Sequence, residues 1–162
     1  MSKKNLMVRM LIETTENGVP CLWEEGGMWE EGGSDRGEST IIAGKDGRPK
    51  KPIRRGYLAN GEHALLILEP GDYIINASHR QNYCYLVDFT IEIYKVVDFE
   101  EIDGETFAVV EFYNGKYDKY YQTIWGMPEW EEPLPSFLED AVQAAMAKAT
   151  CYNCREPYFA II

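Results

Sequence analysis

The sequence predicts an α+β fold that is mostly β: an antiparallel sheet, sandwich or partly open barrel with one C-terminal-region helix packed on it. Turn-forming dipeptides that end in glycine recur along the chain between apolar runs, which is typical of antiparallel sheets. A single amphipathic helical pattern follows them. The chain has 162 residues, of which 45% are hydrophobic, so it is long enough to form a single domain, residues 1–162, around a buried core.

The first strands are predicted by alternation and by turns. Residues 6–12 alternate in the manner of a half-buried strand. Asn17-Gly18 then favours a hairpin turn, because both residues tolerate positive φ, and residues 19–23 form a short returning strand. Residues 40–43 are expected to form another strand, which ends in a second turn at Asp46-Gly47.

The central strands lie around a third turn. Pro70-Gly71 separates the apolar runs 65–68 and 73–77. The proline presets φ and the glycine accepts a positive φ, which together predict a type II turn. Residues 89–93 show the clearest alternation in the chain, and we expect a strand there.

Two further glycine turns surround the next predicted strand. Asp103-Gly104 and Asn114-Gly115 bracket residues 106–113. Residues 116–124 are expected to return after the second turn as another strand.

One helix is predicted at residues 136–149. Ser136, followed three residues later by Glu139, forms a capping-box pattern. Apolar residues then recur at the spacing of one helix face. After the helix, the tail at 158–162 is expected to form a last strand.

Residues 24–39 are interpreted as a flexible, acidic, aromatic loop. The motif Trp-Glu-Glu-Gly-Gly occurs there twice, beginning at Trp23 and at Trp29. Tryptophan among exposed carboxylates is typical of an interface anchor ringed by charge. The alternative is that the indoles cap an open end of the barrel. The predicted partner-binding residues are Trp23, Glu24, Glu25, Trp29, Glu30, Glu31, Trp130, Glu131 and Glu132.

Charge is unevenly distributed along the chain. The extended segment 45–55 contains six basic residues and one acidic residue, Asp46, so its net charge is +5. The total net charge is −11, and the rest of the chain therefore carries −16. Such a surface repels phosphate backbones and attracts cationic proteins, which disfavours direct nucleic-acid binding and favours a basic protein partner. As an alternative function, the basic segment would hold a small anionic ligand or nucleotide through Lys50, Lys51, Arg54, Arg55 and His63.

A zinc site is a further alternative. Cys151 and Cys154 form a C-x-x-C pair, whose spacing lets two thiolates reach one tetrahedral ion. A structural site needs four ligands, and a second such pair is missing from the sequence. Reduced structural cysteines are the competing interpretation, and redox chemistry is disfavoured because the pair follows a helix C-terminus. The remaining candidate ligands are Cys21, Cys84, His63 and His79.

Several function classes are disfavoured by the sequence. It contains neither a Walker motif nor a G-x-G-x-x-G motif opening a helix, and its two histidines show no catalytic arrangement, so enzymatic activity is disfavoured and left open. No apolar run approaches the length that crosses a bilayer. The first residues lack a signal-peptide pattern, and we expect a cytoplasmic protein.

One stretch resembles a known group of proteins. Residues 41–53, Ile-Ile-Ala-Gly-Lys-Asp-Gly-Arg-Pro-Lys-Lys-Pro-Ile, with 61–65 and 77–79, are similar to small uncharacterised proteins of bacterial phages and mobile elements. The resemblance covers less than a third of the chain and implies a phage-type accessory or counter-defence protein. The leading hypothesis is therefore a non-enzymatic binding protein, such as an anti-CRISPR-like inhibitor that mimics DNA. A homodimer is left open.

Overall fold

The computed structural model describes residues 6–31, 34–58, 61–82, 85–112, 117–120 and 134–147. Side chains are described at 6–24, 37–55, 63–78, 90–112 and 134–145. The strands are β1 (Leu6–Thr14), β2 (Pro20–Glu31), β3 (Ser34–Ala43), β4 (Arg54–Leu58), β5 (Gly61–Ile67), β6 (Tyr73–Asn82), β7 (Tyr85–Ile102), β8 (Glu105–Phe112) and β9 (Tyr117–Tyr120). A 3-10 turn (Ser136–Leu138) leads into the helix α1 (Glu139–Ala147).

The strands form one antiparallel sheet in the order β1-β8-β7-β6-β3-β2-β5-β4, and β9 pairs with β7. The sheet is not closed into a barrel, and α1 packs on one face of it. The mostly β fold with one late helix is thus confirmed. No helix in the described part of the chain is long and apolar enough to cross a membrane.

Side-chain alternation divides the buried residues between the two faces of the central strands. Ile41, Ile75 and Ile93 point toward α1, whereas Ile42 and Ile74 point away from it. We call the first group the helix-side core and the second the inner core. The inner core is completed by residues of β1, β7 and β8 and by residues in and next to β5, because the two ends of the sheet fold over the face opposite α1: Ile12, Ala64, Leu66, Leu68, Val96, Ala108 and Val110.

The helix depends on this packing. A nine-residue helix is marginal on its own in water, because nucleation is costly and few hydrogen bonds follow it. Its apolar face, Ala141, Val142 and Ala145, is completely buried in the helix-side core. The hydroxyl of Ser39 on β3 donates to the carbonyl oxygen of Ala145 at 2.7 Å, which ties the last turn to the sheet.

The start of the helix differs from the prediction. Ser136 lies in the 3-10 turn rather than at a helix N-cap, and α1 begins only at Glu139. Beside it, Gly47 has a φ of +81° and lies so close to the Phe137 carbonyl that an added Cβ would be 1.9 Å from its oxygen. This close approach requires glycine in the predicted Asp46-Gly47 turn.

The expected flexible loop at 24–39 is instead mostly strand. The first half of β2 pairs with β5, from Cys21↔Ile67 to Glu25↔His63, and its second half pairs with β3, from Gly26↔Ser39 to Glu31↔Ser34. Glycine and glutamate have low intrinsic strand preference, but sheet pairing overrides a weak local preference.

The predicted return of residues 116–124 beside the preceding strand is also corrected. Both edges of β8 are occupied, by β1 on one side and by β7 on the other. β9 therefore pairs with β7, from Asp88↔Tyr120 to Ile91↔Tyr117, beyond the point where the β7–β8 pairing stops at Tyr94↔Phe112. The turn at 114–115, residues 121–124 and the predicted tail strand at 158–162 lie outside the described residues.

Candidate functional site

A cleft lies at one end of the sheet, where the β1–β2 turn and the β7–β8 hairpin come together. β8 pairs with β1 through Ile12↔Thr106, so the hairpin tip at Asp103-Gly104 reaches the same end as the end of β1. Both tip residues have positive φ, 51° and 81°, as a tight two-residue hairpin requires. The cleft has a volume of about 760 Å³ and is lined by residues 11–14 of β1, 22–23 of β2 and 104–106.

Trp23 forms one wall of this cleft. Its indole Nε1–H donates to Oε2 of Glu13 at 2.7 Å. Its ring lies against the imidazole of His63, with 4.7 Å between ring centroids and an interplanar angle of 54°. The indole is half-buried and held from two sides, so it presents a fixed aromatic surface to the cleft.

Exposed carboxylates are concentrated in the two chain segments that form the cleft. Segments 11–23 and 101–106 contain five acidic residues and neither lysine nor arginine. All five side chains are exposed, and two of them line the cleft itself. Like charges gathered at one end of a protein create a negative potential that attracts cationic surfaces. The five residues, which we call the acidic end, are Glu13, Glu16, Glu101, Asp103 and Glu105.

Apolar side chains are exposed beside these acids. Leu11 is 58% exposed and Ile102 is 41% exposed. Exposed aliphatic groups within a charged ring supply the contact that is desolvated when a partner binds. The acidic end thus combines a fixed indole, exposed aliphatic groups and carboxylates.

Sequence reasoning found only part of this site. Trp23 is among the predicted partner-binding residues, at the end of the predicted strand 19–23 and at the start of the repeated Trp-Glu-Glu-Gly-Gly motif. Glu13, Glu16 and the acids at 101–105 belong to no site that the sequence predicts. The register Ile12↔Thr106 is what joins the two segments, and only the alternation of residues 6–12 pointed toward it.

Glu24, expected at the partner surface, is instead buried. Its side chain is 6% exposed and its Oε2 accepts a hydrogen bond from the backbone N–H of Ile42 at 2.6 Å. Its carboxylate serves the fold and is not available at the surface. The side chains of the other predicted partner-binding residues lie outside the described part: Glu25, Trp29, Glu30, Glu31, Trp130, Glu131 and Glu132.

The basic segment does not form a single cationic pocket in the described structure. Lys50 turns inward, where its Nζ donates to Oδ2 of Asp72 at 2.7 Å and to the carbonyl of Ile67 at 2.9 Å. Asp72 is 2% exposed, so Lys50 neutralises a buried carboxylate and is not presented to a ligand.

The other basic residues are dispersed. Lys51, Arg54 and Arg55 are exposed, and the last two lie on β4 opposite Leu65 and Ala64 of β5. His63 lies on β5 opposite Gly56, and its Nδ1 is buried with no hydrogen-bond partner among the described residues.

Among the described residues, no group of three or more His, Cys, Asp or Glu side chains is arranged to hold a metal ion. Cys21 is a buried free thiol, whose pKa is raised by burial and by the nearby Glu13 carboxylate, and lowered to a lesser degree by Arg54. Cys151 and Cys154 lie outside the described residues.

Comparison with family models, curated proteins and solved structures finds no match to this chain.

Proposed function

We propose that this protein is a non-enzymatic protein-binding accessory protein of the cytoplasm, and that its acidic end binds a basic surface on a partner protein. The observation that carries the proposal is the cleft beside Trp23. It is lined by Glu13 and Glu105, and segments 11–23 and 101–106 contain three further exposed carboxylates and neither lysine nor arginine. Complementary charge accelerates association and excludes partners of like charge.

The contacts at the acidic end have separate roles in this proposal. Carboxylates at the rim set the rate of association and its salt dependence. Trp23 cannot turn freely, because Glu13 and His63 hold its ring, so little side-chain entropy is lost when a partner covers it. Leu11 and Ile102 supply the apolar contact.

The specific form that we propose is an inhibitor, encoded by a phage, of a host defence nuclease. Carboxylates spaced along a strand and a hairpin would substitute for phosphates of DNA on a surface that normally binds nucleic acid. The resemblance of residues 41–53 to proteins of phages and mobile elements supports this form. The buried Lys50–Asp72 pair, in turn, removes one cation from the alternative anion-binding segment.

Cleavage of a DNA substrate by a panel of purified RNA-guided nucleases tests the proposal. The wild-type chain should inhibit at least one of them, and inhibition should weaken as salt rises. Glu101→Lys with Glu105→Lys should reduce inhibition at least about tenfold, because it reverses two charges at the rim.

A matched variant, Glu38→Lys with Asp140→Lys, makes the same change in net charge at two exposed positions outside the acidic end. It should inhibit like wild type. Equal loss in both variants would show that net charge alone acts, and no inhibition across the panel would overturn the inhibitor form.

A further inference from the structure

The strand β1 has one paired edge and one open edge. Residues 6–12 pair with β8, from Leu6↔Phe112 to Ile12↔Thr106. The pairing of β1 with β2 begins only at Glu13↔Cys21 and includes Thr14↔Pro20. Among the described strands, none pairs with the second edge of residues 6–12, so alternate residues of this seven-residue segment present backbone N–H and C=O groups at an open edge.

This open edge is also unusually apolar. Leu6, at 63%, and Leu11, at 58%, are the most exposed large apolar side chains in the described structure, and Met7 on the same strand is 48% exposed. A long apolar edge strand is a template for pairing with another chain, and proteins that remain monomeric usually interrupt such an edge with charge, proline or a bulge. Residues 6–12 contain one charged residue, Arg9, and no proline.

We propose that a second copy of this chain pairs with β1 along this edge, antiparallel and about a two-fold axis at Arg9. In that register Leu6 lies opposite Ile12, Met7 opposite Leu11, and Val8 opposite Met10 of the partner copy. Each apolar residue of the strand therefore meets an apolar residue on the same face of the joined sheet.

Alternation makes this register consistent with the core. Val8 and Met10 pack against the inner core of their own subunit. The pairing places them beside their counterparts and extends the inner core across the axis. Met7 and Leu11 are on the opposite face, where the second copy covers apolar surface that water otherwise contacts.

The charges near the axis are compatible with self-association. Arg9 would lie opposite Arg9 of the second copy. In each copy the Arg9 Nε donates to Oε2 of Glu100 at 2.6 Å, so each guanidinium is already paired with a carboxylate of its own subunit. Residues 6–12 contain no acidic residue, although the chain as a whole has a net charge of −11. The strand is thus a segment on which two acidic molecules can meet without opposing carboxylates.

Sedimentation of the full chain over a range of concentrations tests this inference. Wild-type protein should dimerise. Met7→Lys alone and Leu11→Glu alone should each raise the dissociation constant at least about tenfold, because symmetry places each substitution in the interface twice. A mixture of the two variants should recover a heterodimer, since Lys at position 7 of one copy then lies opposite Glu at position 11 of the other.

Ile53→Glu is the matched control, because Ile53 is 51% exposed and lies outside β1. It should leave the dimer unchanged. A wild-type chain that stays monomeric at millimolar concentration would overturn the inference, as would variants that dimerise normally. Because no partner protein is present, the result does not depend on the proposed function. Leu11 also lines the cleft, whereas Met7 does not, so Met7→Lys tests the dimer edge without changing the proposed binding site.

Discussion

The carboxylate of Glu24 on β2 accepts a hydrogen bond from the backbone N–H of Ile42 on β3, with 2.6 Å between the two heavy atoms. At this point β2 and β3 are not paired. The β2–β3 pairing ends at Gly26↔Ser39, and the preceding residues of β2 pair with β5. The carbonyl of Ile42 accepts from the N–H of Lys50. The Glu24 side chain and the loop at Lys50 thus supply the backbone hydrogen-bond partners that a neighbouring strand would otherwise give to Ile42, which is fully buried.

Replacement of Glu24 should therefore destabilise the fold. Glu24→Ala removes the acceptor of a buried N–H, for which we expect a loss of about 2–3 kcal/mol in the free energy of unfolding, measured by urea denaturation. Glu24→Gln keeps a side-chain acceptor and should lose less. Glu16→Ala, at an exposed position, should change stability by less than about 0.5 kcal/mol. A Glu24→Ala variant as stable as wild type would contradict the structural role.

Lys50 should contribute more to stability than its neighbour Lys51. The Lys50→Ala variant leaves the carboxylate of Asp72 buried and without its cation, and removal of one partner from a buried ion pair costs several kcal/mol. Because the Lys50 side chain is 21% exposed, we expect about 2–4 kcal/mol in urea denaturation. Lys51→Ala, adjacent in sequence but exposed, is the control and should be near wild type. Equal effects at both positions would count against the pairing.

Stability should fall at alkaline pH through Tyr94. Burial, together with the hydrogen bond from its hydroxyl to Glu92 at 2.8 Å and the charge of that carboxylate, raises the pKa of Tyr94 from 10.0 to about 12. The unfolded chain therefore loses this proton first, and the stabilisation present below pH 10 is lost as pH rises through about 12.

Urea denaturation at pH 8 and pH 11 compares the wild type with Tyr94→Phe. The wild type should lose more stability between these pH values than the variant, by less than about 1 kcal/mol, because solvent screens the partly exposed hydroxyl and its carboxylate partner. Identical losses in the two proteins would show that Tyr94 has no raised pKa in the folded state. The Cys21 thiol is common to both proteins, so its own titration cancels in the comparison.

Local signals in the sequence predicted most of the central elements. The alternation of residues 6–12 and 89–93 corresponds to β1 and to part of β7. Asn17-Gly18, Asp46-Gly47, Pro70-Gly71 and Asp103-Gly104 each place a glycine of positive φ in a turn. These features depend on neighbours in the chain, because steric limits on φ and the period of a strand act within a few residues.

Pairing between distant residues decided what the sequence left open. The segment at 24–39 has a composition typical of a loop, yet it forms strands because β5, β3 and β6 supply its hydrogen-bond partners. Similarly, β9 lies beside β7 because β1 already occupies the other edge of β8. A local pattern contains no information about which edges are occupied.

For the charges of the chain, too, the sequence determines one part and the tertiary structure decides the other. The sequence by itself determined a net charge of −11 and one basic segment, since charge is a sum over residues. Only the tertiary structure decided that Glu24 and Lys50 turn inward, and that Glu13 lies in the same cleft as Glu105. Burial and proximity depend on strand register, which joins residues far apart in the chain, and register is settled by the packing of the whole sheet.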